Sequence, residues 1–152
     1  MLITLFLCLG FMMAVLYIDL MFDISAASYR KTNTALPKTV LDPITHYYGR
    51  ITQNPYVLMF VMLTAVLCIG AEILYSLVPR WASYSSLFLM GLSMMTGTLK
   101  VIPTAQRVGA GTDTEDVRTR MIHSMLPFHL ILMVNIILLT AIQFSVALGV
   151  PR

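Results

Sequence analysis

Four long apolar stretches constrain this chain more than any other feature of it. They run from about 2 to 22, 56 to 78, 82 to 102 and 128 to 148. A helix rises 1.5 Å per residue, so about 20 apolar residues match the roughly 30 Å hydrocarbon core of a bilayer. Inside lipid the backbone must satisfy its own hydrogen bonds, and a helix does so segment by segment. Only 11% of the 152 residues are charged, well below the roughly 25% of soluble domains. The expected fold is therefore all-α: a single transmembrane domain over residues 1–152, an integral membrane four-helix bundle. The first stretch is expected to be a retained helix, because no basic segment precedes Leu2 and no small-x-small cleavage site is well placed.

The connections are unequal. The second and third spans are joined by "PRWA" alone, which makes them antiparallel neighbours. The two long connections carry most of the cations. Arg30, Lys31, Lys38 and Arg50 lie in the first, and Arg107, Arg118 and Arg120 in the second. Only Arg80 and Arg152 stand opposite. The positive-inside rule then predicts cytoplasmic loops with both termini outside, in a bacterial or organellar inner membrane. The formal charge of +3 fits contact with anionic membrane lipid and gives no reason to expect nucleic acid. Trp81 suits an interfacial anchor.

Both long loops read as amphipathic helical segments. In "DPITHYYGRIT", Asp42 is a cap candidate with Pro43 at the first helical position. Ile44, Tyr47, Tyr48 and Ile51 then recur at helical spacing. In "GTDTEDVRTRMIHSM", Thr112 or Asp113 is the cap candidate, with acids early and Arg118 and Arg120 later, as the helix dipole favours. The fourth span should continue this helix, bent or broken near Pro127.

Asp19 and Asp23 stand one helical turn apart at the loop end of the first span. Lys100 and Arg107 at the end of the third span, Arg50 before the second, and His123 and His129 at the start of the fourth fall at the same level. An isolated charge in lipid costs about 2.5–3.5 kcal/mol on insertion scales, so the sequence predicts an ion-pair cluster of Asp19 and Asp23 with Lys100, Arg50 and Arg107. The arrangement is either a polar site or an interfacial collar of paired charges. Ser93 and Gly97 form a small-residue pair that would aim Lys100 inward. Glu72 is a lone acid within the second span, suited to a hydrogen bond or a proton relay. Asn135 and Gln143 share a face of the fourth span and suit interhelical hydrogen bonds, with His129 expected on another face.

Cys8 and Cys68 read as small hydrophobes. No zinc, haem, phosphate-loop or nucleophile-elbow pattern is present, so no metal and no cofactor is expected.

"YIDLMFD", "HYYGRIT" and "VIPTAQRVGAGTDTEDVRTRMIHSM", in this order, resemble a family of small four-span membrane proteins without an assigned function. More loosely, the layout is similar to the anthrone-oxygenase-like family, with four spans and an "IP" motif leading into a polar loop. That likeness implies cofactor-independent oxygenation of a lipophilic phenolic substrate. His129 or His123 would be the base, and Arg50 and Arg107 would stabilise the developing anion. Where that family's pattern has an Asn after "IP", this chain has Gln106.

Small size and long apolar faces favour a non-catalytic accessory or packing subunit, whose partners would be membrane lipids and other membrane subunits or further copies of itself. The alternative is an enzyme acting on a lipophilic small molecule, and this requires a closed apolar cavity ending at the level of Asp19, Lys100 and His129, whereas a dry, side-chain-filled bundle with exposed apolar faces argues for the subunit. Proton-coupled transport is a third class.

Overall fold

The computed structural model describes residues 1–30 and 35–149; Lys31 and Arg152, counted above among the orienting charges, lie outside the described residues. The helices are α1 (Leu2–Ala27), α2 (Lys38–Gln53), α3 (Tyr56–Leu74), α4 (Arg80–Thr96), α5 (Ile102–Ala110) and α6 (Glu115–Ala147), with a π-turn over Gly97–Val101 between α4 and α5. Helices α1, α3 and α6, and the continuous helix Arg80–Ala110, are long and apolar enough to cross a membrane. The chain is an all-α, integral membrane four-helix bundle.

Packing follows the spacing of the apolar residues. On α1 the buried stripe is Leu5, Leu9, Met12, Leu16, Asp19, Asp23 and Ala26, at alternating intervals of three and four. On α6 it is Ile122, Met125, His129, Leu132, Ile136, Leu139 and Gln143. Stripes of this kind mesh as knobs into holes. The two helices run antiparallel, and their contacts mark the pairing. Phe6 meets Phe144 edge-on at 6.4 Å, Thr140 reaches Met13 Sδ at 3.9 Å, and His123 Nε2 bonds the Ala26 carbonyl at 3.1 Å.

Helix α2 lies across the end of the bundle that carries the long loops, here the loop end. Its Leu41, Ile44 and Tyr48 join Ala26, Val108, Ile122 and Met125 in a second apolar cluster, separate from the core between the spans. Further ties hold it there. The Leu36 amide donates to Thr119 Oγ1 at 3.0 Å, and Arg118 Nη1 donates to Thr45 Oγ1 at 3.0 Å. Lys38 and Glu115 pair at 3.5 Å on the exposed surface.

Several local expectations need correction. Helix α2 starts at Lys38, not Asp42, because Pro37 and the pinned Leu36 amide set the chain's entry earlier. Pro43 therefore lies inside the helix. Its missing N–H would have bonded the Thr39 carbonyl, but both residues are on the exposed side, where that carbonyl is solvated. The cap of α6 falls at Thr114; Asp113 is instead engaged by Arg107. Helix α6 runs unbroken through Pro127.

The region around "VIPTAQR" is helical rather than looped. Pro103 cannot supply an N–H to the preceding turn, and the helix widens just before it: the Ile102 amide bonds the Gly97 carbonyl, five residues back. Gly111, at φ 66°, ends α5 in the left-handed conformation that glycine adopts without strain.

Candidate functional site

The apolar stripes of α1 and α6 change chemistry at their loop ends, and there they bring three titratable side chains together. His129 Nδ1–H donates to Asp23 Oδ2 at 2.6 Å, with both side chains fully buried. His129 Nε2 then faces Asp19 Oδ2 across 3.9 Å and has no hydrogen-bond partner of its own. A carboxylate on one ring nitrogen fixes the tautomer and leaves the other nitrogen as a lone pair able to take a proton. Asp23 Oδ1 is likewise buried and unpartnered.

Helix α2 adds two phenols. The Tyr47 hydroxyl donates to Asp19 Oδ1 at 2.9 Å, and the Tyr47 ring stacks against Phe22 with centroids 4.7 Å apart. The Tyr48 ring is buried, and its hydroxyl has no hydrogen-bond partner. Burial first, and the Asp19 charge second, push both phenols well above the usual tyrosine range, so each remains a proton donor.

A phenol whose folded-state pKa is raised contributes stability that is complete below about pH 10, where unfolded tyrosine ionises. That stability is lost as the pH climbs from there toward the folded-state values. Alkaline titration followed by tyrosinate absorbance is expected to show Tyr47 and Tyr48 ionising only as α2 detaches. Tyr47→Phe and Tyr48→Phe should each remove one late-titrating group. Ionisation of both in the intact fold would contradict the assignment.

Two adjoining cavities reach this cluster. The larger, about 590 Å³, lies between α1, the α2–α3 connection, the start of α3 and the π-turn, and Asp19 and Tyr48 are among its walls. The smaller, about 80 Å³, lies deeper, against Ser93, Gly97, Leu132 and Ile136. Val15, Asp19, Leu58, Met62, Val101 and Ile102 line both. Nearly all the lining is apolar. The larger volume falls within the roughly 300–1,000 Å³ of small-molecule sites.

The cation assignments change. Asp19 and Asp23 meet His129 and Tyr47, and among the described residues neither forms an ion pair with Lys or Arg. Lys100 is exposed, because the extra residue of the π-turn rotates the next part of the helix by roughly 100° and breaks the phase set by Ser93 and Gly97. Arg107 is held by Asp113 at 3.0 Å. Arg50 borders the larger cavity and forms no ion pair among the described residues. His123 ties α6 to the end of α1 and stands outside the cluster.

At the other end of the bundle, Gln143 Nε2 donates to Glu72 Oε2 at 2.9 Å and to Ser86 Oγ at 3.0 Å, joining α3, α4 and α6. Asn135 is buried with its Nδ2 unpartnered. Gln143 and His129 share one buried stripe, which corrects the expectation that His129 lies on another face: two heptads are close to four whole helical turns. Cys8 and Cys68 are free and buried. Among the described residues no group of three or more His, Cys, Asp or Glu is placed to hold a metal ion. Tyr47 and Tyr48 join the site unforeseen by sequence reasoning, although their position on the apolar face of α2 pointed them inward.

No family model, curated protein or solved structure matches the chain.

Proposed function

We propose that this membrane protein binds a lipophilic small molecule in the larger cavity and performs acid–base chemistry on it, with His129 Nε2 and Asp19 exchanging the proton. The observation that carries this reading is the contact between cavity and cluster. Asp19 lines both cavities while facing the one free nitrogen of a histidine whose other nitrogen is fixed by Asp23. A base needs a raised affinity for the proton at one atom and a place for the reacting group beside it. Tyr48, a buried donor on the cavity wall, suits an oxygen that gains negative charge as the proton leaves. Proton abstraction is also the opening step that the likeness to the anthrone-oxygenase-like family implies.

The exposed apolar faces of the spans suit an accessory subunit, and the larger cavity opens on them past Val57, Phe60 and Leu63; what favours the enzyme is that this cavity also reaches Asp19. The basic residues of α2, α5 and the start of α6 support a cytoplasmic loop end.

Extraction in mild detergent, followed by native mass spectrometry, tests the reading. A stoichiometric lipophile that exchanges hydrogen for deuterium in D2O on the wild type, and not on Asp19→Asn, is the expected result. A chain that retains no lipophile and travels in fixed ratio with other subunits would return it to the accessory class.

A further inference from the structure

The cavity's polar groups are not scattered. Arg50, Thr52 and Asn54 stand at the α2–α3 connection, and the deep end against Gly97, Leu132 and Ile136 is apolar apart from Asp19, which it shares with the larger cavity, and Ser93, whose hydroxyl is spent on the Leu89 carbonyl, as that of Thr98 at the π-turn is on the Met94 carbonyl. Such a gradient describes an amphiphile's shape: head at the connection, tail toward the π-turn. The wall between these ends includes Phe11, Val57, Phe60 and Leu63, which are also among the exposed apolar residues of the spans. The cavity is therefore reached sideways, from the level of the hydrocarbon, and its occupant enters from the membrane.

The head group is specified by charge. Arg50 is a guanidinium without an ion pair among the described residues, and it borders the cavity at the α2–α3 connection. A guanidinium without a counter-ion beside an apolar cavity asks for an anionic oxygen acceptor, and guanidinium binds carboxylate with particular geometric preference.

Resting on the reading that the cavity holds a lipophile, we infer that the occupant is a single-chain lipid carboxylate, bound with its head at Arg50 and its tail end in the small chamber behind Gly97. The chain then passes Asp19, which lines both cavities, so an occupant that undergoes proton transfer carries its acidic C–H or O–H at that point, and saturated palmitate reports binding alone. The deep chamber measures chain length. Gly97 is where the measure can be changed, since a Cβ there meets nothing within 4 Å and the backbone is helical.

Equilibrium binding of radiolabelled palmitate to the full chain in nanodiscs, with hexadecanol as the neutral probe, tests this. Palmitate is expected to bind saturably. Arg50→Gln should weaken palmitate about tenfold, as loss of a charge-assisted hydrogen bond does, and leave hexadecanol unchanged. Lys100→Gln, which removes an exposed cation that does not line the cavity, should change neither. Gly97→Leu should exclude palmitate while decanoate still binds. Hexadecanol binding as tightly as palmitate, or equal losses in Arg50→Gln and Lys100→Gln, would overturn the carboxylate head and leave the lipophile reading standing. Unchanged palmitate binding in Gly97→Leu would overturn the placement of the tail. If neither probe binds and no lipophile is retained on extraction, both readings fall together.

Discussion

His129→Leu is expected to destabilise the folded protein by about 1–3 kcal/mol or more, the cost of leaving a buried hydrogen-bonding group, the Asp23 carboxyl, without its partner. The histidine side chain is 0% exposed, as is that of Asp23, which it bonds at 2.6 Å. Leucine fills comparable space, so the loss comes from electrostatics and hydrogen bonding rather than from a cavity. Asp23 would keep no partner at all, because its other oxygen is already unpartnered. Asp19 would lose the ring nitrogen it faces at 3.9 Å. The effect should be strongly non-additive. Asp23→Asn on top of His129→Leu is expected to recover part of the loss, because a neutral amide in that position no longer demands a counter-charge. Thermal unfolding of the single and double variants in detergent, read by circular dichroism, measures the coupling. A loss below about 1 kcal/mol for His129→Leu, within the range of an exposed pair, would mean that water reaches the cluster.

The sequence carried the spans, and for α1 and α6 it carried the buried faces too. Leu5, Leu9, Met12, Leu16, Asp19 and Asp23 follow one alternation of three and four, so a reader extending the apolar stripe arrives at both acids. On α6 the same alternation links His129 to Gln143, two heptads on, and testing single residue pairs obscured it. The ion-pair expectation failed for a different reason. Any cation at the right depth was a candidate for Asp19, yet depth does not say which side of a helix a side chain occupies. An unbroken α-helical phase across Gly97–Val101 would aim Lys100 inward, and the π-turn that breaks this phase is tied to Pro103, which lies beyond that segment. Pro43 resembles a first-turn proline, so the sequence alone points to a later start for α2 than the true one. What fixes the true start is the Leu36–Thr119 bond, and nothing local in either segment announces a contact between them. The cavity was illegible altogether, since a void is a property of how four helices fail to meet.

The contact between Gly49 and Gly109 is equally hidden in the sequence, and Gly109→Ala is expected to detach α2 from the bundle. A Cβ on Gly109 would stand 2.5 Å from the Gly49 nitrogen and 2.7 Å from the Tyr48 carbonyl carbon. Both are backbone atoms, so no rotamer change can relieve the overlap. In an exposed helix the same change would favour folding by about 1 kcal/mol through helix propensity. Here overpacking costs of about 1–3 kcal/mol, or more, oppose that gain and fall on the α2–α5 contact. Gly49→Ala is the milder case, with a closest approach of 3.1 Å to the Gly109 carbonyl oxygen. Because α2 supplies Tyr47 to Asp19 and both Tyr48 and Arg50 to the cavity wall, its detachment removes one wall of the site without touching the spans. Amide hydrogen exchange should therefore rise across Lys38–Gln53 in Gly109→Ala, and stay at the wild-type level in the cores of α1 and α6. Palmitate binding should fall at least as far as in Arg50→Gln, and Gly49→Ala should lie between Gly109→Ala and the wild type in both measurements. Protection of α2 unchanged in Gly109→Ala would mean that the two backbones are not in contact, and the docking of α2 over Asp19 would have to be abandoned with it.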